Sequence, residues 1–299
     1  MAQLRMLACF AHPDDEAFTA SGVLAASTAR GVQVRLVSAT CGEEGNICQP
    51  GVATRETLGK VRHEELRRSC QVLGLQEPII LGYRDSGWGD SPAQYHPDAF
   101  VQAPPLQVVG RLVEELRRFK PHIVLTFEPG GVSGHKDHQA ISRHTTAAVH
   151  AAGDPAAFPE QMQAGIFPYH PPRLFYIARL QGHRMHHVML LRQAGLEVPV
   201  PGPDLRPPGV PLEQLHVRLD VTPYLEQKLA SMRSHRTQMT PDWTFDKVPW
   251  DTTVAILGQE YLMQAHPYAQ PGEPLATDFL ESFQQGSRRE EQKSEPGGD

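Results

Sequence analysis

The first half of the chain alternates between short apolar runs and longer amphipathic stretches. Short apolar runs bounded by polar residues indicate buried strands, whereas apolar residues spaced three to four positions apart indicate helices. The pattern predicts strands at 4–10, 32–40, 78–81 and 122–127, and helices at 17–29, 54–73, 106–119 and 139–150. This alternation predicts an α/β protein with a Rossmann-like, mostly parallel sheet and helices on both faces.

The second half is less regular. Proline and glycine are frequent at 151–172 and 198–211, which predicts long loops beside a functional face. Strands are expected at 174–178, 188–191 and 217–221 and a helix at 223–234, while periodicity at 255–263 leaves helix or strand open. We therefore expect a single catalytic domain over 1–284. It would comprise a core at 1–150, a smaller irregular substrate-side region at 151–284, and a disordered tail at 285–299.

Composition narrows the class of protein. The hydrophobic fraction of 40% and the charged fraction of 21% are typical of a soluble globular protein. A net charge of −6 gives no electrostatic support for a nucleic-acid partner. The 4 cysteines include no CxxC pair, so reduced thiols and a cytoplasmic location are expected. No signal-type or membrane-spanning apolar stretch is evident, so we expect no membrane partner, and homo-oligomerisation is left open.

Two polar clusters follow predicted strands. His12-Pro13-Asp14-Asp15-Glu16 comes after the first strand, and Ser133-Gly134-His135-Lys136-Asp137-His138 comes before the helix at 139–150. In open α/β sheets, ligands bind at the carboxyl ends of strands. One imidazole crowded among three carboxylates at such a corner would be costly without a cation. Either cluster alone is compatible with a solvated turn or a helix cap, but the pair favours a metal site.

The spacing of these residues suggests how a metal site would be built. His12 and Asp15 are three positions apart and can converge, and His138 is the best third ligand. Two imidazoles and one carboxylate, with one open position, are typical of a catalytic zinc site, although iron or cobalt also bind such ligands. One ion per chain is expected. Asp14 is then the natural general base, but spacing alone does not decide whether Asp14 or Asp15 is the ligand.

A second histidine in the later cluster has a separate role. His135 lies one helical turn before His138 and can donate to a developing oxyanion. Asp137 can fix the tautomer of that imidazole. We therefore expect Asp14, His135 and Asp137 to form the catalytic group.

These clusters, with the segments 40–45, 62–66 and 84–87, resemble the PIG-L/LmbE-like family of zinc-dependent N-acetylglucosaminyl deacetylases. The resemblance covers residues 4–150 and, more weakly, 228–238. It implies a Rossmann-like fold, zinc bound by His12, Asp15 and His138, Asp14 as base and His135 as the electrophilic or acid group. It also implies substrate contacts, which would be made by Arg62, Arg84, Asp85 and Glu43.

The chain departs from the family pattern at Lys136, where proline is usual, and at Ser133, where mycothiol-pathway enzymes carry tyrosine. The second departure weakens an N-acetylglucosaminyl-inositol assignment. Arg62 and Arg84 can meet carboxylates of a substrate, or either can be salt-bridged on a helix or loop. On the first alternative the sequence favours N-acetylglucosaminyl-malate, the small-molecule substrate of the bacillithiol branch. The alternatives are the mycothiol-type inositol conjugate, a thiol-conjugate amidase, a metal-dependent phosphohydrolase, and a non-catalytic metal- or sugar-binding module. Asp14, beside the ligand, argues against the last.

Overall fold

The computed structural model describes residues 3–200 and 209–280. Over these residues the strands are β1 (Arg5–Phe10), β2 (Gln33–Thr40), β3 (Ile79–Tyr83), β4 (Ile123–Phe127), β5 (Arg173–Ala178), β6 (Val217–Asp220) and β7 (Gln259–His266). They form one 7-stranded sheet in the order β3-β2-β1-β4-β5-β7-β6. The first five of that order are parallel, and β7 runs antiparallel to both of its neighbours. The predicted mostly parallel sheet is confirmed.

Helices flank this sheet. They are α1 (Ser21–Ala29), α2 (Leu58–Leu73), α3 (Pro105–Phe119), α4 (Gly131–Gly134), α5 (Lys136–Ala151), α6 (Pro159–Gln163), α7 (His183–Gln193), α8 (Leu225–Ser234) and α9 (Trp250–Leu257). A π-helical turn, Glu16–Ala20, leads into α1. Helices α1, α2 and α8 pack together, while α3 packs against α5 and both contact β1. The two groups account for the apolar character of β1 and β4, whose side chains are almost entirely buried, as in strands covered on both faces.

Most predicted boundaries in the first half agree with the structure to within a few residues. Helix α2 ends where the sequence predicts, at Gly74, which adopts a left-handed conformation with φ of 73°. The open stretch 255–263 contains both candidates, because α9 ends at Leu257 and β7 begins at Gln259.

The strand predicted at 188–191 is wrong, because these residues lie inside α7. Val188 is buried there, whereas Met189 is 53% exposed. A run of four apolar residues fits one helical turn as well as a short strand, so composition could not separate the two.

Several other expectations meet the structure only in part. Residues 151–172 carry the short helix α6, and 201–208 and the predicted tail at 285–299 lie outside the described residues. The division at residue 150 stays a prediction, although β5, β6 and β7 extend the sheet that β1–β4 begin.

All four cysteines are free thiols. Among the described helices, none combines the length and apolarity needed to cross a bilayer.

Candidate active site

The two polar clusters meet at the carboxyl edge of the sheet. Strands β1 and β4 are parallel neighbours, so the corners that follow them lie side by side. A cavity of about 500 Å³ opens at this edge. The predicted site residues that line it are His12, Asp14, Asp15, Arg62, Asp85, His135 and His138. The loops after β2 and β3 supply further lining residues, including Glu44 and Trp88.

Three side chains bring atoms that could bind a metal ion close to one another. His12 Nδ1 lies 3.2 Å from His138 Nε2, and His138 Nε2 lies 3.1 Å from Asp15 Oδ1. His12 Nδ1 is 3.7 Å from Asp15 Oδ2. Donors at metal–ligand distances of 2.0–2.1 Å in a tetrahedron are separated by about 3.3 Å. The three residues are therefore spaced as the ligands of a single divalent ion.

The outer nitrogens of both imidazoles are held by acceptors. His138 Nδ1 lies 3.0 Å from the carbonyl oxygen of Gly131, so that nitrogen carries the proton and Nε2 keeps its lone pair. His12 Nε2 lies 3.1 Å from Asp137 Oδ2 and 3.4 Å from Asp85 Oδ1. Acceptors of this kind orient histidine ligands in metal sites. The Asp137 carboxylate thus contacts His12, whereas its backbone N–H, and not its side chain, contacts His135.

The Nδ1 atom of His12, which faces His138 and Asp15, can bind either a proton or a metal ion. Burial lowers the pKa of His12, but Asp85 and Asp137 outweigh burial and raise this pKa well above the usual histidine value. A metal on Nδ1 displaces that proton, so metal affinity should rise with pH.

Two other donor groupings lie within reach of an ion. One comprises His12, His135 and His138, and the other comprises His12, Asp85, His135 and Asp137. The second grouping lies on the Nε2 side of the His12 ring, where the carboxylates of Asp85 and Asp137 already accept backbone N–H groups. Gly87 donates to Asp85 at 2.8 Å, and Ser86 donates to Asp137 at 2.9 Å. The open side, which faces the cavity and Asp15, is the better place for a catalytic ion.

His135 is fixed as a neutral donor. Its Nδ1 accepts the backbone N–H of Asp137 at 3.1 Å, so a neutral ring carries its proton on Nε2. Burial, with the neighbouring His12 and His138, lowers the pKa of His135 to about 3. An uncharged imidazole with one N–H group on the cavity wall can therefore donate to an oxyanion.

Asp14 sits on a strained piece of backbone beside these rings. Its φ is 113°, a region that residues with side chains rarely adopt and that concentrates at functional sites. Its Oδ2 pairs with Arg62 Nη2 at 2.9 Å, and its backbone N–H donates to Glu16 Oε2 at 3.1 Å. Burial raises the pKa of Asp14 to about 6, with Arg62 opposing and Asp15 reinforcing the rise. A carboxylate with this pKa is suited to take up a proton near neutral pH.

Glu16 lies behind the cavity and supports it. This carboxylate is fully buried, accepts a hydrogen bond from Ser69, and pairs with His235 Nε2 at 2.6 Å. Burial lowers the pKa of His235, but Glu16 more than compensates and the pKa is raised. Sequence reasoning assigned no role to His235 beyond the weak family resemblance at 228–238. Lys228 in that segment pairs with Glu260, away from the donor atoms.

The four predicted substrate contacts have other partners. Arg62 is 3% exposed and donates to the carbonyl oxygens of Gly42, at 2.8 Å, and Pro13 as well as pairing with Asp14. Arg84 pairs with Glu44.

Asp85 faces His12, and Glu43 accepts the backbone N–H of Asp85 at 3.2 Å. Glu43 and Arg84 are not among the residues that line the cavity. Neither arginine offers the free cation that the malate conjugate would require.

The Rossmann-like sheet places two imidazoles and two carboxylates at its carboxyl edge, a cluster that could bind a metal ion. The family profile described as PIG-L, GlcNAc-PI de-N-acetylase, matches residues 7–149. The chain is 32% identical over 272 residues to the 1D-myo-inositol 2-acetamido-2-deoxy-alpha-D-glucopyranoside deacetylase of Thermobispora bispora, covering 88% of this chain and 86% of the relative. The enzyme of the same name from Saccharomonospora viridis is 34% identical over 245 residues, covering 79% and 85%. The chain therefore belongs to the PIG-L de-N-acetylase family.

Solved structures confirm the fold. The N,N'-diacetylchitobiose deacetylase from Pyrococcus horikoshii superposes with a TM-score of 0.63 at 20% identity, covering 88% of this chain and 84% of that one. The 4-carboxy-2-hydroxymuconate hydratase GalB from Pseudomonas putida superposes with a TM-score of 0.58 at 16% identity, covering 92% and 100%. Because these two chains are named for different reactions, the fold alone does not fix the reaction. The predicted deacetylase class is confirmed by the sequence relatives, which are named for an inositol conjugate and do not support the malate conjugate.

Proposed function

We propose that this protein is a zinc-dependent deacetylase that removes the acetyl group from an N-acetylglucosaminyl-inositol conjugate. The observation that carries the proposal is the convergence of His12, Asp15 and His138 on one point of a cavity that Asp14 and His135 also line. The names of the sequence relatives support the same chemistry.

The donor set fits zinc. His12 Nδ1, His138 Nε2 and Asp15 Oδ1 would hold the ion, and their outer contacts leave these atoms free to do so. A bound zinc ion would lower the pKa of water and polarise the amide carbonyl.

Asp14 acts as the general base in this proposal. With a pKa of about 6 it is mostly ionised at neutral pH and can accept a proton from the attacking water. The same carboxyl can then deliver that proton to the amine nitrogen as the carbon–nitrogen bond breaks. The products are acetate and a glucosaminyl amine.

His135 stabilises the negative charge that develops on the carbonyl oxygen. Its Nε2–H group is available because Nδ1 is occupied by the Asp137 N–H. Ser133, which replaces the tyrosine of mycothiol-pathway enzymes, lies 3.2 Å from His138 Nδ1, and its hydroxyl donates to the carbonyl oxygen of Gly131 at 3.4 Å. We therefore assign oxyanion donation in this segment to His135.

The charge of the cavity favours a neutral aglycone. Asp14, Asp15, Asp85 and Glu44 line the cavity together with Arg62 and Arg179; Arg62 is paired with Asp14, and Arg84 is paired with Glu44. A malate group would bring two more carboxylates to this surface while Arg62 and Arg84 already have carboxylate partners, whereas inositol carries no charge and needs no cation. The preference for malate, drawn from the presence of two arginines, is therefore replaced by a preference for inositol.

Acetate release by the zinc-loaded protein tests the proposal. The substrates are N-acetylglucosaminyl-inositol, N-acetylglucosaminyl-malate and free N-acetylglucosamine, with Asp14→Asn as the inactive control. We expect kcat/KM to be highest for the inositol conjugate. Faster turnover of the malate conjugate would overturn the aglycone assignment alone. No acetate from any of the three by metal-loaded protein would overturn the deacetylase proposal for these substrates.

A further inference from the structure

Three histidines outside the active site meet at the opposite edge of the sheet. His150 lies in the last turn of α5, His170 in the segment before β5, and His266 at the end of β7. Backbone pairing fixes their approach, since His266 pairs in register with Leu174 near the start of β5. In addition, the N–H of Tyr169, next to His170, bonds to the carbonyl oxygen of Ala152 at 2.9 Å, just beyond His150. The sequence alone did not single out these residues.

One pair has the same nitrogen separation as the active-site histidines, although its rings lie at 81° to each other and those of His12 and His138 at 44°. His170 Nε2 lies 3.2 Å from His266 Nε2, with ring centroids 5.1 Å apart. His12 and His138 show the same nitrogen separation, 3.2 Å, with ring centroids 5.2 Å apart. At bond lengths of 2.0–2.1 Å this separation corresponds to a nitrogen–metal–nitrogen angle of about 100°, between the octahedral and tetrahedral values.

A third imidazole stands beside this pair. The ring of His150 lies 5.6 Å from that of His266, nearly perpendicular to it at 88°. The nitrogen atoms of the three rings do not all lie within 4.8 Å of one another, so binding by all three requires the exposed His150 side chain, at the end of its helix, to rotate toward the pair. The exposed side of His170 leaves room for water in any remaining coordination position.

We propose that His170 and His266, with His150 as the third ligand, form a second metal site for a late first-row divalent ion. Three imidazole donors without a carboxylate select Zn²⁺, Ni²⁺ or Cu²⁺ over Mg²⁺ or Ca²⁺, which prefer oxygen. Arg173 adds positive charge near His266, so this site binds more weakly than the carboxylate-containing active site.

Occupancy of this site would stabilise the fold. The ion would join the end of α5, the segment before β5 and the end of β7, which are distant in sequence. An ion that binds the native chain and not the unfolded chain raises stability in proportion to the logarithm of its concentration. The site is separate from the proposed catalytic chemistry.

Zinc stoichiometry measured by equilibrium dialysis of the full chain at pH 7.5 tests this inference. We expect two zinc ions on the unmodified protein, one on His170→Ala, one on His138→Ala, and none on the double variant. His186→Ala, which removes an exposed histidine elsewhere, should keep two. Equal zinc content in the unmodified protein and His170→Ala would overturn the proposal and leave the pair as a simple N–H···N hydrogen bond.

Two further measurements separate this site from the active site. Zinc should raise the Tm of His138→Ala but not that of the His138→Ala/His170→Ala variant, and a rise in both would refute the assignment. Deacetylation by His170→Ala should stay within about twofold of the unmodified protein. Zinc retained by His138→Ala but lost from His170→Ala would support the second site even if the catalytic assignment failed.

Discussion

Replacing Arg62 by alanine should change the pH profile of the enzyme more than its affinity for substrate. The guanidinium is buried and lies 2.9 Å from the Asp14 carboxylate, where it opposes the effect of burial on the pKa of Asp14. Without this cation, Asp14 faces Asp15 in the same buried site. The proton on Asp14 would then be held more tightly.

The size of the effect follows from the charge that is removed. An opposite charge at this range lowers the pKa of a carboxyl group by about 1–3 units. Starting from a pKa of about 6, the Asp14 carboxyl in Arg62→Ala should titrate at about 7–9. At pH 7 the ionised fraction would fall from about nine tenths to between one half and one hundredth, so kcat/KM should fall about 2- to 100-fold. Activity should recover as the pH rises.

The assay is kcat/KM for acetate release between pH 5 and pH 10, with KM and kcat measured separately. Arg62→Lys should keep the acid limb near that of the unmodified enzyme, because the charge is retained. Arg55→Ala is the matched control, since Arg55 is exposed and donates to Gly45 of the same loop without contacting Asp14. A metal ion bound in the active site shifts the pH profiles of the unmodified enzyme and of all three variants together. The prediction therefore concerns the differences between these profiles. An unchanged acid limb with a raised KM would refute this reasoning and return Arg62 to the role of a substrate contact.

Other substitutions separate the roles of the remaining residues. Asp14→Asn should keep its zinc but lose about 10²–10⁴ in kcat, and near-normal turnover would mean that the base lies elsewhere. His138→Ala should lose the active-site zinc and activity together, as measured by dialysis and acetate release, and full retention of both would remove it from the ligand set. His235→Gln should lose stability in a pH-dependent way. Because the folded-state pKa of His235 is raised, its contribution is complete below about pH 6.5 and disappears as the pH rises through the folded-state value. The gap in urea midpoint between His235→Gln and the unmodified protein should therefore narrow from pH 6 to pH 9.

The fold was predictable where each segment had one dominant pattern. Apart from Arg5 and Thr126, β1 and β4 are apolar because both of their faces are covered, and this made them recognisable without any partner. The failure at 188–191 has the opposite cause. Those residues lie in α7, where only Val188 is buried, so packing against neighbours decided what the local pattern did not.

The proximity of His12, Asp15 and His138 was predictable, because it depends on spacing within two short motifs that a sequence displays directly. Their assignment as metal ligands stays a prediction, and the contacts that hold them were less predictable. The partners of Arg62 and Asp137 depend on how loops 20 to 125 residues away are packed, and no local pattern reports that. The inference about malate is unsupported for this reason, because it counted arginines without knowing that Arg62 and Arg84 are already paired with carboxylates.

The buried carboxylates of the motif at residues 12–16 indicate where a cation would bind. Asp15 and Glu16 are 5% and 0% exposed, so the solvated-turn alternative does not apply to them. Buried carboxylates need compensation. Glu16 receives it from His235, and Asp14 receives it from Arg62.

Asp15 differs from its two neighbours. Its Oδ2 accepts the backbone N–H groups of Ala11 and His12, which hold the corner, while Oδ1 faces His138. The place for a compensating positive charge therefore lies between Asp15 and the two imidazoles. A proton on His12 Nδ1 can be donated to His138 Nε2, which leaves Asp15 Oδ1 without a share in it, whereas a divalent ion can contact all three atoms at their observed spacing.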